Sequence, residues 1–181
     1  EAKSEIKRTA DLTDYFADEV QSIRGEEVDS DNFPGYDKGR LALIERVAWG
    51  TVIAIAPFNY PVNLAASKLA PALLMGNCVV FKPPTQGAIS GLHLTQIFGK
   101  AGIPDGVLSC VTGGGGEIGD YLVGHKNADM IAFTGSSDTG VAIAKVAGMK
   151  PLLFECGGNN ATVVLPDADM NLTAKEIVKG T

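Results

Sequence analysis

Apolar residues in this chain recur in two alternating patterns, short continuous runs and longer segments with a helical period. Segment 51–84 shows the alternation most clearly. It opens with the apolar, β-branched run TVIAIA, which Pro57 ends, and apolar residues then recur over 62–74 with a near-helical period. Gly76 and Asn77 end that helix, and CVVF begins the next strand. The pattern predicts a strand, a helix and a second strand in succession.

The same alternation continues to the end of the chain. Strands are predicted over CVVF, GVLSCV, DMIAF, PLLFE and ATVVL. Helices are predicted over 88–101, 117–124, 139–148 and the closing LPDADMNLTAKEIVKG, with caps at Asp138 or Thr139 and at Asp169 or Asn171. Strands that alternate with helices of about 10–15 residues are typical of βαβ units. The pattern therefore predicts an α/β fold with a parallel sheet.

Segment 1–50 departs from this alternation. Residues 1–23 carry an incomplete apolar stripe of helical period, and 25–39 is acidic and turn-rich, which predicts a helix and then a surface loop. Residues 40–49 alternate in part and predict a strand, which Gly50 separates from TVIAIA. We expect these two strands to form a hairpin arm outside the sheet core, whose exposed edge is a natural oligomer contact.

Charge and composition exclude several classes of partner. The net charge is −6 and the pI is near 4.9, which argues against nucleic acid or an anionic membrane as the main partner. Cys78, Cys110 and Cys156 have no metal-type spacing, so no metal site is expected, and Cys78 and Cys110 lie in apolar runs typical of small buried side chains. A reducing, cytoplasmic setting fits this cysteine usage. Both ends of the sequence look cut, and we expect a piece of a longer polypeptide.

Polar side chains follow three predicted strands at their carboxyl ends, where ligands bind in open α/β sheets. Lys82 indicates a ribose or phosphate contact, or alternatively a solvated surface lysine. The Asn59 amide can stabilise a developing oxyanion or serve as a turn residue. Glu155 ends PLLFE, where partial desolvation suits a general base; a capping or salt-bridged glutamate is the alternative.

Two glycine-rich loops join strands to helices. GGGGEIG at 113–119 can cradle an anion with backbone N–H groups, or it is merely a tight turn, and it lacks the Lys-Ser/Thr of a P-loop. TGSSDTG at 134–140 is the better anion site because Ser136 and Ser137 add hydroxyl donors. Two such loops after neighbouring strands suit a dinucleotide pyrophosphate.

The residues after CVVF also bear on which dinucleotide would bind. NAD enzymes usually place a carboxylate on the adenosine ribose, whereas NADP enzymes must tolerate a 2′-phosphate. Lys82 and Thr85 have no acidic residue between them, which favours NADP over NAD.

Four motifs together resemble the aldehyde dehydrogenase superfamily in order and spacing, over essentially the whole chain. They are PFNYP (57–61), FKPP (81–84), FTGSSDTG (133–140) and FECGG (154–158). The runs PFNYPVNLAASKLAPAL, FKPPTQG and EIGDYLV look most like the NADP-dependent, non-phosphorylating glyceraldehyde-3-phosphate dehydrogenase branch.

The resemblance implies a Rossmann-like open parallel sheet with helices on both faces, a β-hairpin oligomerisation arm and the start of a second α/β catalytic domain. The implied boundaries are 1–35 and 53–156 for the dinucleotide-binding domain, 36–52 for the arm and 157–181 for the catalytic start.

The resemblance also implies a role for individual residues. Asn59 looks like the oxyanion-hole amide and Glu155 like the base that activates the hydrolytic water. Arg8 and Tyr60 are candidates for gripping a charged substrate. The implied cofactor contacts are Ala56, Lys82, Thr85, Asp120, Gly135, Ser136, Gly140, Cys156 and Gly157.

In this family a cysteine thiolate attacks the aldehyde, hydride passes to the nicotinamide, and water hydrolyses the thioester. The implied activity is NADP-dependent oxidation of an aldehyde, glyceraldehyde 3-phosphate to 3-phosphoglycerate, by a cytoplasmic homo-oligomer (dimer or tetramer), with NAD as the alternative cofactor. The nucleophilic cysteine lies downstream of the base, beyond this chain, so the 181 residues alone are expected to be inactive.

Two features of the chain keep other hypotheses open. Cys156 and Asn159 depart from the family's usual E-L-G-G-K, and most of the catalytic domain is missing from the sequence. The alternatives are a non-catalytic nucleotide-binding or assembly module, and a dehydrogenase for another aldehyde such as succinate semialdehyde or lactaldehyde.

Overall fold

The computed structural model describes residues 1–35 and 37–180. Tyr36, where the predicted arm begins, and Thr181, where the predicted catalytic start ends, lie outside the described residues. The helices are α1 (Ala2–Glu19), α2 (Asn63–Leu74), α3 (Ala88–Lys100), α4 (Gly115–Gly124), α5 (Ser137–Ala147) and α6 (Met170–Gly180). The strands are β1 (Glu26–Asp29), β2 (Leu41–Ile44), β3 (Thr51–Ile55), β4 (Cys78–Lys82), β5 (Leu108–Cys110), β6 (Met130–Gly135) and β7 (Leu152–Cys156).

Strands β3 to β7 form one parallel sheet in the order β5-β4-β3-β6-β7. The chain runs outward from β3 through β4 to β5 and then returns to place β6 against the other side of β3. This reversal is the topological switch of dinucleotide-binding folds, which opens a crevice at the carboxyl ends of the strands.

Both faces of the sheet are covered because the side chains of its strands alternate between them. Val52 and Ala54 of β3 pack on one face with residues of α2 and α3, such as Leu69 and Leu94. Ile53 of β3 packs on the opposite face in a second cluster. That cluster holds residues of α4 and α5, among them Val123, Ile143 and Ala147. The predicted Rossmann-like sheet with helices on both faces is confirmed.

The predicted pairing of the arm strands is wrong. β2 pairs antiparallel with β1, Glu26 opposite Ile44, and β1 lies in the acidic stretch that the sequence pattern predicts as a loop. TVIAIA instead supplies β3, the centre of the parallel sheet. A continuous apolar run is what a strand buried on both faces requires, whereas the two-stranded hairpin is exposed and can carry the acidic EEVD.

Two local predictions at the ends of elements also need correction. ATVVL (161–165) forms no strand among the described residues, because a strand exists only where a neighbour shares its hydrogen bonds. Helix α5 is capped by Ser136, whose Oγ accepts from the Thr139 N–H, rather than by Asp138 or Thr139. The predicted cap at Asp169 is confirmed: its Oδ1 accepts from the backbone of Asn171.

The cysteines are less buried than their apolar neighbourhoods suggest. Cys78 is exposed, contrary to the prediction, because it begins β4 at the amino edge of the sheet. Cys110 is half-buried, and burial raises the pKa of its thiol. In the part of the chain that the structure describes, no helix combines the length and apolar character needed to cross a membrane.

Candidate functional site

The carboxyl ends of four parallel strands bring polar side chains to one edge of the sheet. Ile55 at the end of β3 lies opposite Lys82 at the end of β4, and Thr134 of β6 lies opposite Glu155 of β7. The backbone N–H of Ala56 donates to the Lys82 carbonyl oxygen at 3.4 Å and continues this edge by one residue. The predicted residues Ala56, Lys82 and Glu155 therefore share one edge.

Glu155 belongs to a group of three hydrogen-bonded side chains from different elements. Its Oε2 accepts from the Thr134 hydroxyl at 2.7 Å and from the Lys68 ammonium at 3.4 Å, and Lys68 also donates to the Thr134 oxygen. The Lys68 side chain is 4% exposed, whereas that of Glu155 is 62% exposed. A buried cation thus anchors a carboxylate that faces solvent.

The electrostatics of this group differ from the prediction for Glu155. The Thr134 hydroxyl is the main reason why the pKa of Glu155 is lowered; Lys68 adds to this, while burial opposes it. Burial lowers the pKa of Lys68, and Glu155 offsets that effect in part. The partial desolvation predicted for Glu155 is present, but the Thr134 hydroxyl outweighs its effect on the pKa. Its carboxylate is ionised at neutral pH and available as a proton acceptor.

Sequence reasoning missed Lys68 and Thr134. Lys68 lies in a helix whose neighbouring residues Ala66, Leu69 and Ala70 are buried, and a lysine on an apolar face is the signal that was available.

The loop between β3 and α2 holds Asn59 in an exposed position. The next residue, Tyr60, has the Arg8 guanidinium over its ring, 5.2 Å from the centroid, so α1 packs against this loop. The two predicted substrate residues therefore lie together, and Tyr60 directly follows the predicted oxyanion residue Asn59 in sequence. A second α1 residue, Glu5, accepts backbone hydrogen bonds from Val62 and Asn63; sequence reasoning missed it.

A cleft of about 530 Å³ lies between α4 and α5. Lys82 and Asp120, both predicted, line it together with Asp138 and Thr139 of the first turn of α5. Lys82 is 6% exposed, and burial lowers the pKa of its ammonium, so the solvated surface lysine is excluded. Its Nζ donates to the Pro83 carbonyl oxygen at 3.3 Å.

The start of α5 is tightly packed around its glycines. A Cβ on Gly135 would lie 2.5 Å from the Phe133 ring, and one on Gly140 would lie 2.8 Å from the Cys156 sulfur. These positions accept only glycine without a shift of their neighbours, and the backbone of the loop lies close to the end of β7. The Ser137 hydroxyl donates to the Gly157 carbonyl oxygen at 3.4 Å, which joins the two segments.

In the other glycine-rich loop, 113–119, a side chain of the chain itself binds a backbone N–H group. The Glu117 carboxylate accepts from the Gly114 N–H at 3.1 Å at the start of α4. The capping group is a carboxylate at α4 and the neutral Ser136 hydroxyl at α5, and a carboxylate repels an anion, which favours the α5 loop as the anion site.

Thr85 stands apart from the cleft. It begins the short 3₁₀ turn Thr85–Gly87, is exposed, and does not line the space between α4 and α5. Among the described residues, no cluster of His, Cys, Asp or Glu side chains could hold a metal ion.

A family model described as the aldehyde dehydrogenase family matches residues 1–181. The chain belongs to the aldehyde dehydrogenase family. This aldehyde dehydrogenase chain is 53% identical over 182 aligned residues to the NADP-dependent glyceraldehyde-3-phosphate dehydrogenase of Triticum aestivum, covering 99% of the chain and 36% of the relative. It therefore spans about a third of the length of the curated relatives it matches.

Solved structures of the family resemble the chain closely. The NADP-dependent glyceraldehyde-3-phosphate dehydrogenase of Bacillus halodurans C-125, complexed with NADP, is 50% identical with a TM-score of 0.92; the match covers 98% of this chain and 37% of that one. The glyceraldehyde-3-phosphate dehydrogenase of Methanocaldococcus jannaschii, also complexed with NADP, is 36% identical with a TM-score of 0.85, covering 98% and 38%.

Proposed function

We propose that the full-length protein containing this chain oxidises an aldehyde with NADP, and that the aldehyde is glyceraldehyde 3-phosphate. The observation that carries the proposal is the Lys68–Thr134–Glu155 group at the same sheet edge as Lys82, beside a cleft of nucleotide size. The similarity to NADP-dependent glyceraldehyde-3-phosphate dehydrogenases supports the choice of cofactor and substrate.

Glu155 is proposed as the base of the hydrolytic half-reaction. The thioester joins the substrate acyl group to a cysteine outside this chain. Water attacks the acyl carbon, a water proton passes to Glu155, and the carbon–sulfur bond breaks to release the carboxylic acid and a thiolate. Asn59 is proposed to donate its amide N–H to the oxygen that becomes negative as the carbonyl is attacked.

The cofactor site is proposed at the cleft and the α5 loop. NADP supplies the hydride acceptor when bound. Gly135, Ser136 and Gly140 hold the pyrophosphate, while Lys82 and Thr85 hold the adenosine ribose and its 2′-phosphate. Ala56, Asp120, Cys156 and Gly157 complete the proposed contacts. Asp120 and Asp138 line the same cleft as Lys82, and because their carboxylates repel a phosphate, the 2′-phosphate is expected at Lys82 and Thr85 rather than at either aspartate.

The remaining proposals concern substrate and assembly. Arg8 and Tyr60 are proposed to bind the substrate phosphate, since a guanidinium matches phosphate geometry. The domain boundaries 1–35 with 53–156, 36–52 and 157–181 remain predictions, as do a cytoplasmic location and a homo-oligomer held by the hairpin arm.

The decisive experiment follows NADPH formation by the full-length protein with glyceraldehyde 3-phosphate, before and after Glu155→Gln. We expect the first-turnover burst to persist while the steady-state rate falls about 10²–10⁴-fold, because only thioester hydrolysis needs the base. Equal losses in burst and steady state would contradict this role for Glu155.

The substrate and the chain itself supply the controls. Succinate semialdehyde and lactaldehyde should give lower kcat/KM than glyceraldehyde 3-phosphate. The bare 181-residue chain should show no turnover; nucleotide binding without turnover by the full-length protein would favour a binding module instead.

A further inference from the structure

Helix α2 begins without a cap of its own. Val62 occupies the position where a Ser, Thr, Asp or Asn side chain would usually accept from the first turn, and a valine side chain accepts nothing. The missing acceptor comes from another element. Oε1 of Glu5 accepts from the backbone N–H groups of Val62 and Asn63, both at 2.9 Å.

The Glu5 side chain is buried at this contact. The residue is 8% exposed although it is a carboxylate in the first turn of α1. Burial of a charged group is costly unless hydrogen bonds compensate, and two backbone donors at the positive end of a helix dipole provide that compensation. The carboxylate therefore ties α1 to one specific turn of α2.

Two further residues on the same face of α1 contact the loop between β3 and α2 and the first residue of α2. Positions three and four residues apart share a helix face, which aligns Arg8 and Thr9 with Glu5. The Arg8 guanidinium lies over the Tyr60 ring, and the Thr9 Oγ1 accepts from the Asn63 side-chain amide at 3.4 Å. The α1 face thus holds segment 60–63, which directly follows Asn59.

We infer that Glu5 is a positioning residue for Asn59: by capping α2 from α1 it fixes the backbone that aims the Asn59 amide at the reacting carbonyl. The inference rests on the proposed function and adds to it a residue far from Asn59 in sequence. Glu5 is neither a proposed substrate residue nor a proposed cofactor contact. It acts only through the loop.

The test is a double-mutant cycle in the full-length protein with Glu5→Ala, Asn59→Ala and the double variant. Glu5→Ala should lower kcat for NADPH formation about 10- to 100-fold, because a misplaced catalytic group costs this order of rate. The same change made in Asn59→Ala should cost less than about 2-fold, because the amide that Glu5 positions is already gone.

Two additional readouts separate positioning from simple stabilisation. Glu5→Gln keeps an amide oxygen at the same reach and should restore most of the lost kcat. The KM for NADP should change little in all Glu5 variants, because the proposed cofactor cleft lies on the α4–α5 face and α1 packs against α2. Rates are referred to the folded fraction, measured by circular dichroism.

Several outcomes overturn the inference. Wild-type kcat in folded Glu5→Ala would do so, and so would an equal fold loss with and without the Asn59 amide, which would leave Glu5 a stabilising cap only. Should Glu5→Ala fail to fold, Glu5→Asp, shorter by one methylene, replaces it in the same cycle with the same criteria. A wild-type protein without aldehyde oxidation would instead overturn the proposed function, and the inference with it.

Discussion

The two charged groups fix the direction of every hydrogen bond in the Lys68–Thr134–Glu155 group. An ammonium can only donate and a carboxylate can only accept, so the Thr134 hydroxyl accepts a hydrogen bond from Lys68 and donates one to Glu155. A neutral side chain thereby couples a buried cation to an exposed carboxylate. This arrangement stabilises the ionised form of Glu155, the form that can accept a proton from water.

Replacing Thr134 by valine should shift the pH dependence of catalysis. The hydroxyl is the largest cause of the lowered Glu155 pKa, so its loss should raise that pKa. Because the base works only when ionised, the acid limb of the kcat–pH profile should move to higher pH. Thr134→Ser keeps the hydroxyl and should retain the wild-type limb. Identical acid limbs in Thr134→Val and wild type would show that the hydroxyl does not tune the base.

A second substitution tests the choice of cofactor. Thr85→Glu introduces a carboxylate that repels a 2′-phosphate and can accept from a ribose 2′-hydroxyl, so the preference for NADP over NAD should fall by on the order of 10-fold or more. Titration of both nucleotides measures the ratio, and Thr85→Ser serves as the control with the hydroxyl retained. An unchanged ratio would remove Thr85 from the cofactor site.

Local spacing in the sequence identifies some of these residues and cannot identify others. Glu155 and Lys82 are found because each lies at the carboxyl end of an apolar strand, where ligands bind in open α/β sheets. Lys68 and Glu5 are missed because their partners lie 66 and 57 residues away along the chain. No periodicity within one helix reports a contact of that range; only the fold brings the partners together.

At the scale of elements, the alternation of strands and helices was predictable because burial imposes it on the sequence. β3 is buried on both faces of the sheet, and its unbroken apolar run is the sequence pattern that such burial requires. The two wrong strand predictions, a loop at EEVD and a strand at ATVVL, have one cause. A strand is a property of a pair: acidic EEVD forms one because β2 lies beside it, and apolar ATVVL forms none among the described residues.

Two glycines of α3 should respond to alanine in opposite directions. A Cβ on buried Gly91 would lie 2.5 Å from the Cβ of Pro83 and 3.1 Å from the Phe81 ring, neither of which can move easily, so Gly91→Ala should destabilise by about 1–3 kcal/mol. Gly99 has open space around it, and Gly99→Ala should stabilise by about 0.5–1 kcal/mol through helix propensity.

Thermal unfolding midpoints of the full-length variants check both expectations. The pair is matched, since the same methyl group is added to the same helix and only the surroundings differ. A rise in the midpoint for both variants would mean that α3 does not rest against Pro83 and Phe81 as described, and with it that Lys82, the residue before Pro83, is not held by this packing.

At the scale of the whole molecule, the group that holds the proposed base and the proposed cofactor cleft are built from helices on opposite faces of one sheet. Lys68 reaches the strand ends from α2 on one face, whereas the cleft lies between α4 and α5 on the other. Both meet at the switch between β3 and β6, where the chain reverses its direction across the sheet. The hairpin β1–β2 contributes none of the proposed site residues.

The homo-oligomer proposed above can be tested at the surface of the hairpin. Leu41 and Leu43 are 59% and 72% exposed, and alternation along β2 puts them on one side of the ribbon. A two-stranded ribbon is marginally stable in water by itself, and a partner that covers its apolar side stabilises it. Leu43→Lys in the full-length protein should therefore shift the assembly toward smaller species in sedimentation velocity. Ile97→Lys, the same change in charge at an exposed apolar site of α3, should not, and equal distributions for Leu43→Lys and wild type would exclude the hairpin as the contact.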